Sequence, residues 1–305
     1  TVKDTLSLHD ALPIWHRPEH WAMDGVFPGA FETWKGDPWK SRLAFIEAHG
    51  FHGTSVGRKD FKDPERAAFL RRLHEEKGLL FAVHLRLDYR EDPESGRKRL
   101  EEEARGLCQL HEATPLLADI GLVLGGEGHR FDREVPVEKQ LDLLSSQLTA
   151  AAAIAAAADL PMVIENHADY YVSDLVALCE RVPGLGIQLD TGNCFLVGER
   201  PDLIPERAFP FVQATHWKDH FVRPNARELR LELTGATLGR GYAGLQRIYE
   251  KLLRLHPDPS SIRMRMEWVP DPQRDPWDCF ADSLAHFRGI SGGRFTGKVN
   301  KNWNP

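Results

Sequence analysis

Cysteine is scarce in this chain of 305 residues, which contains four. The four are Cys108, Cys179, Cys194 and Cys279. They stand far apart and form no Cys-x-x-Cys pair, which argues against a zinc ribbon and against a disulfide framework. Few and scattered cysteines are typical of a reducing compartment, so we expect a cytoplasmic location.

Long apolar runs are also missing. A membrane-spanning helix needs about 18 or more consecutive apolar residues, and the nearest approach, residues 148–158, is short and rich in alanine. Residues 1–14 have neither the cationic start nor the apolar centre of a signal peptide. We expect no membrane segment, and we interpret residues 1–14 as a non-native or disordered extension outside the fold. The alternative is that a native N-terminus with a targeting signal is missing.

The chain has fewer positively than negatively charged side chains. The chain has 39 Lys and Arg against 45 Asp and Glu, a formal net charge of −6, and no run rich in Lys and Arg. A nucleic-acid-binding protein usually carries a basic patch or stripe. We therefore expect a small polar substrate and neither nucleic acid nor membrane as partner, while a monomer and a homo-oligomer both stay open.

Strand and helix patterns alternate along most of the chain. We predict strands at residues 22–27, 53–56, 79–87 and 120–124 and further strands that end at residues 165, 190, 216 and 267. We predict helices at residues 39–49, 63–78, 94–112, 137–158, 172–181, 203–209, 241–255 and 276–288. Eight such units indicate an α/β fold, a single-domain (β/α)8 TIM barrel over residues 15–290. The polar tail, residues 291–305, should be disordered or lie on the surface.

Four of the predicted strands end in a metal-binding residue type. Glu165, Asp190, His216 and Glu267 each follow an apolar run, at intervals of 25, 26 and 51 residues. The C-terminal ends of the strands of a parallel barrel meet at one face, where barrel enzymes build their sites. Carboxylates favour hard divalent cations, and one imidazole favours Mn²⁺, Co²⁺ or Zn²⁺ over Mg²⁺. We predict a divalent metal site, with Mn²⁺ as the preferred ion and Mg²⁺, Co²⁺ or Zn²⁺ as alternatives.

The residues around these strand ends resemble a known family. The matching segments are Glu165-Asn166-His167, Asp190-Thr191-Gly192-Asn193, His216-Trp217-Lys218-Asp219, residues 238–242 and Glu267. Together they resemble the xylose isomerase-like TIM barrel proteins, also called sugar phosphate isomerases/epimerases, over roughly residues 25–288. The resemblance implies that the four strand-end residues bind the metal. It also implies that Glu165 and Glu267, on opposite sides of the substrate, exchange a proton with it.

The resemblance implies an enzyme of carbohydrate metabolism. The expected reaction is isomerisation or epimerisation of a sugar by proton transfer next to a carbonyl, through a metal-stabilised enediolate. Two positions depart from the ketose epimerase branch, which has a His at the position of Asn193 and an Arg at that of Val222. These departures favour the alternative, a lyase of the same fold. Such a lyase would be a keto-inositol dehydratase, a dehydroshikimate-type dehydratase or a 3-keto-glycoside eliminating enzyme.

Other residues near the strand ends could contact the substrate. The predicted contacts are His84, Glu127, His167, Asn193, Lys218 and Arg240. His167 and Lys218 each lie two residues beyond a predicted ligand, on the same face if the strand continues. Arg240 could receive an acidic or phosphorylated substrate. Each residue also has a purely structural interpretation, such as a core histidine, a salt bridge or a solvated loop side chain.

Two other classes of function are open to a barrel of this kind. Endonuclease IV-like DNA repair enzymes share the barrel type, but they use three zinc ions, more histidines and a cationic surface, which this acidic chain does not offer. A non-catalytic sugar-binding protein would be expected to lose a metal ligand. All four candidate ligands are present, so both alternatives are disfavoured.

Overall fold

A computed structural model of the chain describes residues 17–25, 37–125 and 128–300. The strands are β1 His20–Gly25, β2 Gly53–Val56, β3 Leu80–Leu87, β4 Leu117–Leu124, β5 Met162–Glu165, β6 Leu185–Asp190, β7 Val212–Trp217, β8 His220–Asn225, β9 Arg230–Gly235 and β10 Arg263–Trp268. The helices are α1 Pro38–Ala48, α2 Arg58–Lys62, α3 Pro64–Lys77, α4 Pro93–Ala113, α5 Val137–Ala157, α6 Val172–Arg181, α7 Leu245–Leu255 and α8 Pro276–Ser291.

Eight of the described strands form one parallel sheet in the order β1-β10-β7-β6-β5-β4-β3-β2. The two end strands, β1 and β2, meet at a seam, where the amide N–H just before β2, that of His52, donates to the Trp21 carbonyl in β1 at 2.8 Å. The sheet is thus a nearly closed barrel, with helices in the connections between its strands. The predicted single-domain (β/α)8 TIM barrel is confirmed.

Local sequence signals account for most helix boundaries. The Asp63 carboxylate accepts the backbone N–H groups of Glu65 and Arg66 and caps α3, which ends where Gly78 takes a left-handed φ of 69°. The carboxylate of Asp92 caps α4 in the same way. Alanine, the best helix former, fills the second half of α5. Apolar side chains from strands and helices pack into one core.

Two predicted helices differ from the structure. In place of a helix at 203–209, two short 3-10 turns occur, Pro201–Leu203 and Glu206–Phe211. The prolines at 205 and 210 have no backbone N–H, so this segment lacks donors that a continuous α-helix needs. The helix predicted at 241–255 begins later, at Leu245. The preceding loop instead directs backbone N–H groups to the carboxylate of Asp219.

Three further differences from the prediction concern strands β8 and β9, the first strand and the C-terminal tail. Strands β8 and β9 form an antiparallel hairpin that was not predicted. The first strand begins at His20, and the last two residues predicted for it, 26 and 27, lie outside the described residues. The prediction of a disordered or surface tail is wrong at Phe295. Its ring is 1% exposed and packs against Trp21 and Phe287. Burial of a large aromatic ring removes apolar surface from water and so stabilises the folded chain.

Within residues 17–25, 37–125 and 128–300, no helix is both long and apolar enough to cross a membrane. The four cysteines, all of them described, are buried and unpaired.

Candidate metal centre

The four predicted ligands converge at the C-terminal ends of their strands. Glu165 and Asp190 are the last residues of β5 and β6, while His216 and Glu267 are the penultimate residues of β7 and β10. One ligand atom from each lies within 4.8 Å of the others. His216 Nδ1 is 3.0 Å from Glu165 Oε1, 3.3 Å from Glu267 Oε2 and 3.8 Å from Asp190 Oδ2. Three carboxylates and one imidazole therefore face a common point.

Burial and mutual contact shift the pKa values of this group strongly. Burial alone would raise the pKa of Glu165, but the charge and hydrogen bond of His216 lower it to about 2. Burial acts to lower the pKa of His216, but Glu165 and the other carboxylates raise it well above its usual value. Burial raises the pKa of Asp190 to about 7 despite the nearby ammonium of Lys218. The carboxylates of the cluster therefore favour positive charge at its centre.

The donor set fits a divalent cation. Asp190 Oδ2 and Glu267 Oε2 are buried and accept no hydrogen bond of normal geometry within the described part of the chain. Lys218 Nζ supplies charge to both, at 2.8 and 2.6 Å. Buried carboxylates without full partners are costly unless a cation or protons neutralise them. Three oxygen donors and one imidazole suit Mn²⁺, Co²⁺, Zn²⁺ or Mg²⁺.

A network of hydrogen-bonded polar side chains inside the barrel holds the Glu165 carboxylate in place. The Gln188 amide donates to Glu165 Oε2 at 2.9 Å. The Gln188 carbonyl in turn accepts from the guanidinium of Arg265, which is also paired with Asp119. This hydrogen-bonded network was not predicted from the sequence. A usable signal is present, because Gln188 and Arg265 each stand two residues before a predicted ligand and so point to the same side of the strand.

Asp24 in β1 is a fourth carboxylate at the centre; it is buried, and it was not predicted. Its Oδ2 lies 3.4 Å from His216 Nε2. Its Oδ1 accepts from Thr54 Oγ1 at 2.9 Å and from the Ser55 N–H at 2.6 Å, and its Oδ2 accepts from Ser55 Oγ at 2.8 Å. Asp24 follows the apolar run 21–23, the same pattern that identified the four predicted ligands.

His84 lies at the edge of the cluster, as the sequence predicted for a residue near the barrel mouth. Its ring centre is 6.2 Å from that of His216, and it forms a second compact group with Glu165 and His216. Burial, with the charge of His216, lowers its pKa to about 4. His84 Nε2 is buried and has no hydrogen-bond partner among the described residues, so the hydrogen-bonding capacity of this nitrogen is unused within them.

Asn193 and Lys218 contact the predicted ligands directly. The Asn193 amide donates to Glu165 Oε1 at 3.3 Å, and its carbonyl accepts from Lys218 Nζ at 3.2 Å. Both residues are buried. The structural interpretation of Lys218, a salt bridge, is also observed: Nζ lies 2.8 Å from Asp190 Oδ2, within the cluster itself.

His167 lies beside the cluster and not in it. Strand β5 ends at Glu165, so the two-residue periodicity used to predict its direction does not extend to this position. The His167 side chain is exposed and lines a cavity of about 520 Å³ together with Phe131 and Leu196. The next residue, Ala168, has a left-handed φ of 60°, a conformation that costs energy for alanine.

Arg240, another predicted substrate contact, is not brought to the cluster. Arg240 is exposed, and its guanidinium pairs with Asp282 at 3.1 Å. Asp219 accepts the N–H groups of Gly239 and Gly241 and holds the loop that carries Arg240. Glu127 lies outside the described residues.

Comparisons with known proteins agree with this architecture. The family model for the xylose isomerase-like TIM barrel matches residues 43–288. No curated protein matches the chain. Among solved structures, a xylose isomerase-like TIM barrel protein from Mycobacterium smegmatis in complex with magnesium is similar. It has a TM-score of 0.65 at 15% identity and covers 93% of this chain and 100% of its own.

Two further structures carry the same fold. The 3-keto-D-glucoside 4-epimerase from E. coli aligns with a TM-score of 0.60 at 14% identity, over 90% of this chain and 100% of its own. A probable 3-DHS dehydratase from Bacillus anthracis aligns with a TM-score of 0.56 at 15% identity, over 84% and 92%. At such identities these likenesses establish the fold alone.

Proposed function

The chain belongs to the xylose isomerase-like TIM barrel family, and on that premise we propose that it is a divalent-metal-dependent sugar isomerase or epimerase. The reaction moves a proton on the carbon next to a carbonyl of a small sugar substrate. The single observation that carries the proposal is the convergence of Glu165, Asp190, His216 and Glu267 at the mouth of the barrel, with their ligand atoms within 4.8 Å of one another.

These four residues would hold the metal. When bound there, a divalent cation acts as a Lewis acid that makes the carbon next to the carbonyl more acidic. The preferred ion is Mn²⁺, because the donor set joins three carboxylates to one imidazole, and Mg²⁺, Co²⁺ and Zn²⁺ are the alternatives.

Glu267 is the better placed of the two glutamates to take the proton. Its side chain is 24% exposed, whereas that of Glu165 is 3% exposed. Glu165 is also fixed by Gln188 and Asn193. In an epimerisation, one glutamate removes the proton from carbon and the other returns a proton to the opposite face, so that no atoms are gained or lost.

Three nearby groups would bind the substrate. His84 has a nitrogen without a partner among the described residues, and burial keeps its ring neutral by lowering its pKa to about 4. Lys218 can stabilise negative charge that develops on oxygen. His167 faces the adjoining cavity and would contact the part of the substrate remote from the reacting carbon.

A lyase of the same fold is the second candidate, and the surroundings of Asn193 favour it. Its amide donates to Glu165 and its carbonyl accepts from Lys218, so a carboxamide tied to the cluster stands where the ketose epimerase branch has a histidine. After the proton is removed, a leaving group on the β-carbon could depart with its bonding electrons and take up a proton. Keto-inositols, dehydroshikimate-type acids and 3-keto glycosides are the substrate classes for that reaction.

Product analysis in D₂O separates the two candidates. Mn²⁺-loaded protein would be incubated with ketoses, keto-inositols and 3-keto glycosides, and the products analysed by mass spectrometry, with Glu165→Gln as control. Carbon-bound deuterium with no loss of atoms supports the isomerase or epimerase. Loss of water or of an aglycone identifies the lyase. If neither change depends on Glu165 and on the metal, the proposed function is wrong.

A further inference from the structure

The two nitrogens of the His216 ring face different carboxylates. Nδ1 lies 3.0 Å from Glu165 and 3.3 Å from Glu267, on the side of the predicted ligands. Nε2 lies 3.4 Å from Asp24 Oδ2. A neutral imidazole has one nitrogen that carries the proton and one that can bind a metal. The ring can therefore bind a metal on the side of the predicted ligands only if Nδ1 carries no proton.

We propose that Asp24 is a positioning residue that accepts the Nε2–H of His216 and thereby holds Nδ1 free to bind the metal. This inference rests on the proposed function, because it assigns a role toward the metal of that same site. Carboxylates that accept the second N–H of a metal-binding histidine fix both the tautomer and the direction of its ring.

The surroundings of Asp24 suit this role. Its Oδ1 takes hydrogen bonds from Thr54 Oγ1 and the Ser55 N–H, and its Oδ2 takes one from Ser55 Oγ. These donors all come from β2 and contact both oxygens, so they hold the carboxylate in one orientation. Oδ2 keeps a lone pair for His216, and the Arg42 guanidinium, 3.3 Å from Oδ1, adds positive charge on the other side.

The same hydrogen bonds also join β1 to β2 at the barrel seam, which is a competing structural role. Ser55 Oγ shares Oδ2 with His216, but the Thr54 hydrogen bond uses the other oxygen. Thr54 binds Oδ1, whereas His216 faces Oδ2. Thr54→Val therefore weakens the seam contact and leaves the acceptor for His216 in place. It is the matched control for a change at Asp24.

Asp24→Asn changes the group that His216 meets. The Asn carbonyl would keep the hydrogen bonds of Thr54 and the Ser55 N–H, which leaves the NH₂ group in the place of Oδ2. A donor there requires Nε2 to accept, and the ring proton then moves to Nδ1, where it blocks the metal. We expect metal affinity to fall by about 10–100-fold, with little loss in Thr54→Val.

The test is calorimetric titration of Mn²⁺ into the metal-free full chain, for the wild type, Asp24→Asn and Thr54→Val, with thermal melting of each. A selective loss in Asp24→Asn supports the inference, and equal affinity in the two variants overturns it. A wild type that binds no divalent metal overturns the proposed function together with this inference.

A second measurement uses only the wild type, so it does not depend on whether a variant folds. In the Zn²⁺-bound protein, ¹⁵N NMR of labelled histidines, with the His216 signals assigned from His216→Gln, reports which ring nitrogen carries the proton. A protonated Nε2 with a metal-bound Nδ1 supports the role of Asp24. The opposite tautomer overturns it while the metal-dependent function stands.

Discussion

Among the predicted ligands, Glu267 has the most exposed side chain. Its replacement tests its two proposed roles, as a metal ligand and as the base that takes the proton. Glu267→Gln takes one negative charge from the cluster and leaves a side chain of nearly the same size. We expect metal affinity to fall at least 10-fold and kcat to fall about 100-fold or more. Metal analysis and steady-state kinetics measure the two effects. Glu102→Gln, at an exposed position of α4, is the control, and full occupancy with normal kcat in Glu267→Gln would remove Glu267 from the site.

His167 is exposed to the cavity beside the cluster, so it contributes little to packing. His167→Asn should therefore leave the melting temperature almost unchanged, as surface substitutions usually do. If the ring donates one hydrogen bond to the substrate, kcat/KM should fall roughly 2- to 10-fold. Melting curves and kinetics on the same preparation check this. A lower melting temperature with unchanged kinetics would assign His167 to the stability of the loop.

Asp169 gives the fold a pH dependence that is separate from the metal cluster. Its carboxylate is buried and accepts the backbone N–H groups of His167 and Tyr170. Burial raises its pKa from 3.8 to about 6. Because the folded state binds the proton more tightly than the unfolded state, the contribution of Asp169 to stability falls as pH rises from about 4 to about 6 and stays low above that.

Asp169→Asn should remove this dependence, because the amide oxygen can accept the same two N–H groups without a buried charge. The free energy of unfolding, measured with urea, should change little at pH 4 and rise by up to about 3 kcal/mol at pH 7.5 relative to the wild type. A difference between the two proteins that is constant across pH would show that Asp169 does not titrate in this range.

At the scale of strands and helices, the barrel and the position of the cluster were predictable. Glu165 and Asp190 each end a strand, and His216 and Glu267 come one residue before the end, so the apolar runs and the alternation with helices located them. The hairpin β8–β9 was not predicted. Its tip, residues 226–229, contains no Asn-Gly or Asp-Gly turn. Leu229 in the tip is 93% exposed and Leu231 in β9 is 51% exposed, so the hairpin lacks a buried apolar pattern.

The side-chain network around the cluster was less predictable because it depends on how the sheet closes. Asp119 and Arg265 are 146 residues apart and meet inside the barrel. Asp24 meets Thr54 and Ser55 only where β1 and β2, the two ends of the sheet, come together. Periodicity within one strand gives the direction of a side chain, but the partner on the opposite side of the barrel is set by tertiary structure.

Gly121 of strand β4 leaves space for the His84 ring. Adding one methyl group at position 121 tests whether the reaction needs the ring in that place. Gly121 pairs with His84 across the sheet, and a Cβ at position 121 would lie 2.3 Å from the His84 ring. Gly121→Ala should displace the ring, lower the free energy of unfolding by about 1–3 kcal/mol and reduce kcat/KM by about 10-fold or more.

Gly106→Ala in α4 is the matched control for this substitution. No atom lies within 4 Å of the Cβ it would add, so stability should stay the same or rise by up to about 1 kcal/mol. Kinetic measurements on both variants, with chemical unfolding, make the comparison. Normal kinetics in Gly121→Ala would show that the reaction does not need His84 at its observed position.

At the scale of the whole molecule, the cluster couples metal binding to the stability of the barrel, because its ligands come from β5, β6, β7 and β10. A metal that binds only the folded chain adds about 2.7 kcal/mol at a concentration 100 times its Kd. We expect Mn²⁺ at that concentration to raise the melting temperature by about 4 °C, and EDTA to reverse the rise. Calorimetric melting with and without Mn²⁺ measures it.

Asp190→Asn distinguishes a metal site from a cluster of acids that merely supports the fold. Without metal, the variant loses one ionic partner of Lys218 but is relieved of a buried carboxylate whose pKa burial raises to about 7. These effects oppose each other, so its melting temperature should stay near that of the wild type. The response to Mn²⁺ should vanish in the variant alone. If the wild type does not respond either, Lys218 provides the neutralising charge permanently, and the cluster is a structural ion-pair network.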